Sequence, residues 1–521
     1  MFKSWAINSN GFEKVTSFLT KMGIFYSTPS YSFPNGKLMN LDYVNESVDT
    51  KEFYKLRIYQ IMVSSFQAST WFWGGYGTGY GPSHHRGDLD GITNALDYIK
   101  SLNVNAIWIT PIFDSNYAYK GKQLQSTGYF CNDYFHVDKH FGGDAAFKRL
   151  VDACHEKGIY VILDVAFGHN GKVKNPSPSG LKPTDELAKF PESLDYCLEV
   201  IQYWTENYNV DGWRLDQCYQ LNQDGHNYMH EIKQFFERLC TKRKAEGHEW
   251  GTLGYIVGEH WGKADDIREI TYKGDGLRSA FDFPARFDLL SAIAQTEDGT
   301  KGGMEQLITM FKPLNERGYL EDSIPNMFVG NHDLWRLGNL IREGRNQDQF
   351  TDAYWNIHKL AFCLLCAYTG PITLYYGEEI GDITNEWYHQ EHHFCGDHVA
   401  SDNCSRTNGQ IKNFNYRQKD LHDFVQMLMQ LRRDNPALYR GTDSITIQGN
   451  IMINYKYDEE TQNKIIVMCN IGDDWETASY KCDHYKLKNL FDPQYKFVQE
   501  EDETFKIPVE NMTAVYFQIV E

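Results

Sequence analysis

From about Tyr54 onward the chain repeats one pattern: a short β-branched run, then an amphipathic stretch of helical spacing, then another run. Such alternation means parallel strands joined by crossover helices. The candidate strands are Arg57–Val63, Ala106–Thr110, Tyr160–Asp164, Gly212–Asp216, Tyr255–Glu259, Ser279–Phe283, Met327–Val329 and Ile372–Tyr375. Eight strands predict an α/β chain whose centre is a closed (β/α)8 barrel, and residues 54–436 are long enough to hold one with generous loops.

The connecting helices follow the same logic. Ile92–Leu102 places Ile92, Leu96 and Ile99 on one face. Ala146–Lys157 places Phe147, Leu150, Val151 and Cys154 together and stops at Gly158, a helix-ending residue. Leu421–Arg433 carries Phe424, Met427, Leu428 and Leu431 and ends before Pro436. Residues 1–53 hold one helical stretch, Gly11–Lys21, and then turn-rich sequence to which no role is assigned. Beyond Leu438 the pattern changes to short alternating runs, Ile445–Gln448, Ile451–Tyr455, Lys464–Met468 and Met512–Ile519. These predict a C-terminal antiparallel β-sandwich over 437–521. A chain of 521 residues accommodates two or three such domains.

Composition narrows the partners. A net charge of −19 argues against nucleic acid and anionic membranes. No apolar run approaches the roughly 20 residues of a membrane span. The stretch Met1–Ser9 lacks the apolar core of a signal peptide, so a cytoplasmic protein is the expectation. Eleven scattered cysteines suggest no disulfide framework. Cys363 and Cys366 form a C-x-x-C inside the apolar run Leu360–Tyr368, which reads as a buried helix with two core thiols. Aromatics are 15% of the chain, and a pyranose ring packs its C–H face on such rings.

Active sites of TIM barrels lie at the C-terminal ends of the strands. There the sequence places Asp164 with His169, Arg214 with Asp216, Glu259, and His332 with Asp333. Strand side chains alternate, so Arg214 and Asp216 share one side, where the arginine is expected to hold the aspartate ionised. Asp216, Glu259 and Asp333 fall on strands four, five and seven and converge on one face. Retaining glycoside hydrolysis needs two carboxyls about 5–5.5 Å apart, one as nucleophile and one as protonated acid. An apolar strand behind Glu259 and Trp261 nearby are expected to raise its pKa. Taken singly, each acid is more often a salt-bridged carboxylate; the set is not.

With these residues in place, the sequence resembles glycoside hydrolase family 13, the α-amylase family. The four signature regions of that family are matched in order by Tyr160–His169, Gly212–Asp216, Val257–Glu259 and Phe328–Asp333. Tyr59-Gln60, Gly87–Ile92, Gly128-Tyr129 and Leu374–Gly381 match further stretches, and the resemblance covers about residues 54–440. It implies Asp216 as nucleophile, Glu259 as acid/base and Asp333 as stabiliser of the distorted sugar. It also implies that Tyr129 stacks on that sugar, that His169 and His332 bind its hydroxyls, and that Arg214 orients Asp216. Asp164 reads as structural support. The implied reaction is cleavage of α-glucosidic bonds in glucosides, oligosaccharides or short α-glucans. A transglycosylase or isomerase of the same family is the first alternative, and a non-catalytic carbohydrate-binding protein the second.

The chain departs from the family pattern in several places. Gly168 stands where many members carry an asparagine serving a calcium site. The segment corresponding to the family's domain B is only about Gly171–Pro191. The loop after strand one lacks an acid-rich calcium-binding stretch. No cofactor and no metal are therefore expected, calcium included. Tyr219 and Gln220 occupy the positions of the Lys-His pair often found after the nucleophile, which points away from ordinary endo-amylase specificity. The glycine-aromatic loop Trp71–Gly81 lacks the register of a phosphate-binding loop and reads as a substrate rim. His84-His85 reads as rim, and the group His389, His392, His393, Cys395 and His398 as a cleft wall whose spacing matches no common zinc site.

Overall fold

The computed structural model describes residues 38–70, 86–115, 127–384, 405–482 and 486–520. The helix expected at Gly11–Lys21, the loop Trp71–Gly81, His84-His85 and the group from His389 to His398 lie outside these residues.

Eight parallel strands form the centre: β1 (Arg57–Ile61), β2 (Ala106–Ile109), β3 (Tyr160–Val165), β4 (Gly212–Leu215), β5 (Tyr255–Gly258), β6 (Ser279–Ala280), β7 (Met327–Phe328) and β8 (Ile372–Tyr375). Their order is β6-β5-β4-β3-β2-β1-β8-β7. β6 and β7 meet through a parallel pairing of Phe281 with Asn326. Two 2.8 Å bonds reinforce it, from Asp282 N to Asn326 O and from Asn326 N to Ala280 O. The sheet thus closes on itself, leaving no edge. Every residue of β2, β4 and β5 is buried, as expected of strands covered on both faces.

Helices α1 (Leu89–Asn94) and α2 (Leu96–Ser101) follow β1; α3 (Gly143–Glu156) follows β2; α4 (Leu194–Tyr208) follows β3; α5 (Met229–Ala245) follows β4. α6 (Phe283–Ile293) follows β6, α7 (Leu337–Arg345) and α8 (Asp352–Ala367) follow β7, and α9 (Tyr416–Asp434) follows β8. Two boundaries differ from expectation. The helix expected over Ile92–Leu102 is two pieces, because Ala95 N bonds back three residues to Ile92 O and tightens the turn. The strand expected over Ser279–Phe283 stops at Ala280. Asp282 instead caps α6, its carboxylate accepting from Ala285 N at 3.0 Å, with Pro284 in the first turn.

The excursion from β3 to α4 holds no helix or strand, only the isolated pairing of His169 with Leu187. Between β2 and α3 a hairpin pairs Phe113–Ser115 with Cys131–Val137 and carries the chain past Tyr129. Cys363 and Cys366 are buried in α8, where burial raises both thiols, Cys366 to about 12; they are core residues.

After α9 the chain forms β9 (Thr442–Gln448), β10 (Ile451–Asp458), β11 (Asn463–Asn470), β12 (Glu476–Lys481), β13 (Lys486–Asn489), β14 (Val498–Gln499), β15 (Thr504–Val509) and β16 (Thr513–Val520). They build two antiparallel sheets, β9-β10-β11-β16-β13 and β12-β15-β14. Ile451, Ile453, Ile466, Met468, Phe505 and Phe517 fill the space between them. Among the described residues no helix is long and apolar enough to cross a membrane.

Candidate active site

The barrel register explains why Asp164 and Arg214 meet. β3 and β4 pair in parallel with Asp164 opposite Arg214, so both side chains leave the sheet at one level. Arg214 is fully buried and gathers the site. Its Nη1 donates to Asp216 Oδ1 at 2.8 Å, Asp164 Oδ1 at 2.9 Å and the Tyr129 hydroxyl at 3.2 Å. Its Nη2 lies 3.1 Å from Glu259 Oε2. Trp108 and Tyr129 cover the guanidinium, with ring centroids 5.2 and 5.5 Å away.

Asp216 and Glu259 are the residues that directly follow β4 and β5. Asp216 N donates to Val165 O at 2.9 Å, and Glu259 N to Leu215 O at 2.8 Å, so each acid is anchored to the neighbouring strand. Gln217 then takes a left-handed conformation, φ 41° and ψ 49°, which is unfavourable for a residue with a Cβ. That turn aims its N–H at Glu259 Oε2, 3.1 Å away.

Asp333 lies after β7 and is the most open of the three acids, its side chain 32% exposed against 8% for Asp216 and 12% for Glu259. Its Oδ1 accepts from Arg406 Nη2 at 3.0 Å, and its Oδ2 lies 3.1 Å from His332 Nε2. His332 is fully buried, and burial pushes it down to about 3, so the ring is neutral. Gln60 Nε2 donates to its Nδ1 at 2.8 Å. The proton therefore sits on Nε2, facing Asp333 and the Tyr129 hydroxyl 2.7 Å away. Tyr129 donates in turn to Asp164 Oδ2 at 2.8 Å, which also accepts from Trp108 Nε1 at 3.0 Å. Tyr129 and His332 stack with a 13° interplanar angle. His169 closes the other side, its Nε2 3.5 Å from Asp216 Oδ2.

All seven residues singled out in the sequence, Asp216, Glu259, Asp333, Tyr129, His169, Arg214 and His332, thus meet at one end of the barrel. The electrostatics differ from the sequence expectation at Asp216 and agree with it at Glu259. Arg214 does push Asp216 down, but burial outweighs it, with Asp164 and Asp333 adding repulsion, and Asp216 rises to about 7. Glu259 rises to about 7 as well, through burial and the negative charges of Asp216 and Asp333, against Arg214. Trp261 is exposed and stacks on Phe283 with ring centroids 5.3 Å apart; burial is the largest cause of the rise in Glu259, in the expected direction. Asp333 alone stays below the ordinary carboxylate value: burial opposes this, but His332, Arg406 and Arg214 outweigh it.

Sequence reasoning missed the parts played by four residues. Arg406 grips both Asp333 and the His332 carbonyl, the latter at 2.9 Å, from a segment with no periodic signal. Gln220 was legible only as a position after the nucleophile, and Gln217 not at all. Gln60 left a usable signal, since a polar residue inside a buried strand calls for a polar partner. Among the described residues no three His, Cys, Asp or Glu side chains group as a metal site. At Gly168 a side chain would collide with Gln220, a Cβ there lying 2.1 Å from its Oε1.

Comparison with known proteins agrees with this geometry. The family model for the alpha-amylase catalytic domain matches residues 60–190 and 184–413. The solved structure of AmyP in complex with maltose superimposes with a TM-score of 0.82 and 36% identity, covering 90% of this chain and 97% of that one. The maltogenic alpha-amylase of Bacillus acidopullulyticus is 27% identical over 390 residues, 68% of this chain and 56% of the relative. The intracellular maltogenic amylase of Bacillus subtilis is 28% identical over 330 residues, 57% of this chain and 49% of the relative. The aligned stretches thus span about half the length of these two curated relatives. With the catalytic-domain model matched across most of the barrel, the chain belongs to the alpha-amylase family.

Proposed function

We propose that this protein is a retaining α-glycoside hydrolase that cleaves α-glucosidic bonds of glucosides, maltooligosaccharides or short α-glucans by double displacement. The observation that carries this is the grip of one guanidinium on two carboxyls: Arg214 holds Asp216 through Nη1 and Glu259 through Nη2. Carboxyls bound to the two terminal nitrogens of one arginine stay at close range, as a retaining pair about 5–5.5 Å apart must.

In this reading Asp216 attacks the anomeric carbon and forms a glycosyl-enzyme, while Glu259 protonates the departing oxygen. Glu259 then takes a proton from water, which attacks the same carbon and releases the sugar with its configuration retained. The reactive state holds one proton between the pair, on Glu259, and Arg214 favours the ionised Asp216. Asp333, kept ionised by Arg406 and His332, binds hydroxyls of the distorted ring. Tyr129 offers its face to that ring, and His332 and His169 offer ring nitrogens to its hydroxyls. The maltose bound to AmyP supports a short α-glucan as substrate, and the intracellular relative supports a cytoplasmic location.

A screen of α-glucosides, followed by NMR of the first anomer released, tests the reading. An α-configured product supports it; a β-anomer as first product overturns it. Transfer to excess acceptor sugar in preference to water would assign the chain to the transglycosylase alternative. No calcium is needed in this mechanism, since Gly168 offers no ligand and Gln220 fills its side-chain space. Activity accordingly persists in EDTA; a complete loss restored by Ca²⁺ contradicts that point.

A further inference from the structure

Gln220 takes no part in the chemistry above, yet it connects both acids. It lies on the single turn Cys218–Leu221 that follows the nucleophile. Its Nε2 donates to Gln217 Oε1 at 3.1 Å, an oxygen that also accepts from the Tyr219 hydroxyl at 2.7 Å. With the amide nitrogen engaged there, Gln220 Oε1 faces His169 Nδ1 at 3.0 Å. An amide oxygen only accepts, so His169 carries its proton on Nδ1. Burial lowers the basicity of His169 and leaves the ring neutral. Its Nε2 is then a bare lone pair, 3.5 Å from Asp216 Oδ2 and beyond hydrogen-bond reach of it.

The geometry points to Gln220 as a positioning residue that fixes His169 as a hydrogen-bond acceptor for a substrate hydroxyl and ties it, through Gln217, to the backbone N–H that holds Glu259. The inference rests on the glycosidase reading. It gives the two histidines opposite polarity: Nε2 of His332 is a donor directed at Asp333 and Tyr129, whereas Nε2 of His169 is an acceptor left for a sugar hydroxyl. Gly168 belongs to the same device. A Cβ at 168 would lie 2.1 Å from Gln220 Oε1 and 2.4 Å from Gln220 Cβ. Gly168 is not among the positive-φ glycines, so it is the close approach of Gln220 that calls for glycine here.

The test compares Gln220→Ala, Gln220→Glu and Gly168→Ala with the unmodified chain in maltotriose hydrolysis across pH. Gln220→Ala and Gly168→Ala each lower kcat/KM by roughly 10–100-fold, the scale of a misplaced binding group, without a matching fall in thermal midpoint. Gln220→Glu keeps the acceptor but adds an anion. The charged groups already facing His169 are Asp216, Glu259 and Arg214, and Asp216 also faces Asp164 and Asp333. A new anion among them favours imidazolium on His169 and opposes ionisation of Asp216. Gln220→Glu therefore recovers most activity at pH 8, while its acid limb moves up by about half a pH unit or more. Wild-type rates and profile in Gln220→Ala, or equal losses at every pH in the Ala and Glu variants, overturn the inference. Should the variants misfold, ¹⁵N NMR of histidine-labelled full chain, assigned by His169→Gln, decides it: a proton on Nδ1 supports the inference and one on Nε2 refutes it. Failure of the glycosidase reading looks different, since the unmodified chain would then cleave no α-glucoside.

Discussion

Two of the buried arginine–carboxylate clusters among the described residues are built in opposite senses. Around Arg214 three carboxylates, Asp164, Asp216 and Glu259, compete for one guanidinium. Around Asp282 several donors converge on one carboxylate: Arg317, the hydroxyls of Tyr319 (2.9 Å) and Tyr368, and Ala285 N (3.0 Å). The first has a surplus of acceptors, which leaves protons free to move among them. The second has a surplus of donors, which pins one anion in place. Both are dry and both are charged, so burial and ion pairing alone do not mark a catalytic site; the imbalance of donors and acceptors does.

Substitution of the acids breaks the comparison most sharply. Asp216→Asn should lower kcat by about 10³-fold or more, and Glu259→Gln by roughly 10²–10⁴-fold with substrates whose leaving group needs protonation. Both variants keep the wild-type circular dichroism spectrum. A loss of only a few-fold in either would falsify the role assignment. The Asp282 cluster gives the converse. Arg317→Met strands a fully buried carboxylate and should cost about 3–5 kcal/mol of stability, read as a fall in urea midpoint. The kcat/KM per folded molecule should stay within about twofold, because Arg317 touches no residue of the site. If activity fell with stability intact, the division between a pinned and a mobile cluster would be wrong.

The pH dependence sharpens the same contrast. The nucleophile must be ionised and the acid protonated, so kcat/KM rises with pH as Asp216 loses its proton and falls as Glu259 loses its own. Burial raises both to about 7, which makes the profile a narrow bell centred near neutrality. Beyond about pH 6 and pH 8 each unit costs roughly tenfold. The two limbs belong to the pair rather than to either residue. A broad plateau from pH 5 to 8 would show that the carboxylates do not share one desolvated pocket.

How much of this was legible in the sequence follows from which physics each part uses. The strands of the barrel are short apolar runs because both their faces are buried, and that signal is strong even for β2 or β4, each only four residues long. The acids were legible as a set, because several carboxylates at successive strand ends converge on one face; singly, such a carboxylate can be structural, as Asp282 is. The polar sheet strands were not: Glu476–Lys481 buries only Ala478, Thr504–Val509 only alternate residues, and β12 to β15 went unassigned. The end of β6 was hidden because Asp282 looks like a strand residue until its capping bond to Ala285 is seen. Arg214 was read as the dominant influence on Asp216, since a sequence shows neighbours but not depth, and burial proved the larger effect. Arg406 and the Gln220–Gly168 contact depend on loops meeting across the barrel mouth, with no spacing to announce them.

The mildest consequence of the imbalance concerns stability. An ordinary glutamate ionises near pH 4.3 in an unfolded chain, whereas Glu259 in the folded barrel holds its proton up to about 7. The folded state therefore binds this proton more tightly than the unfolded state. Its stabilising contribution is fully present below about pH 4, fades as pH rises, and is gone above the folded value. At pH 8 the ionised Glu259 sits desolvated beside Asp216, and the fold bears that repulsion. Glu259→Gln removes the charge and keeps the shape, so at pH 8 it should stabilise the protein by about 0.5–2 kcal/mol, visible as a higher thermal midpoint, with the gain vanishing at pH 4. A variant equally stable to wild type at pH 8, or one whose gain persists into acid, would mean that Arg214 neutralises its carboxylates as completely as Arg317 and its neighbouring donors neutralise Asp282, and the two clusters would then be alike.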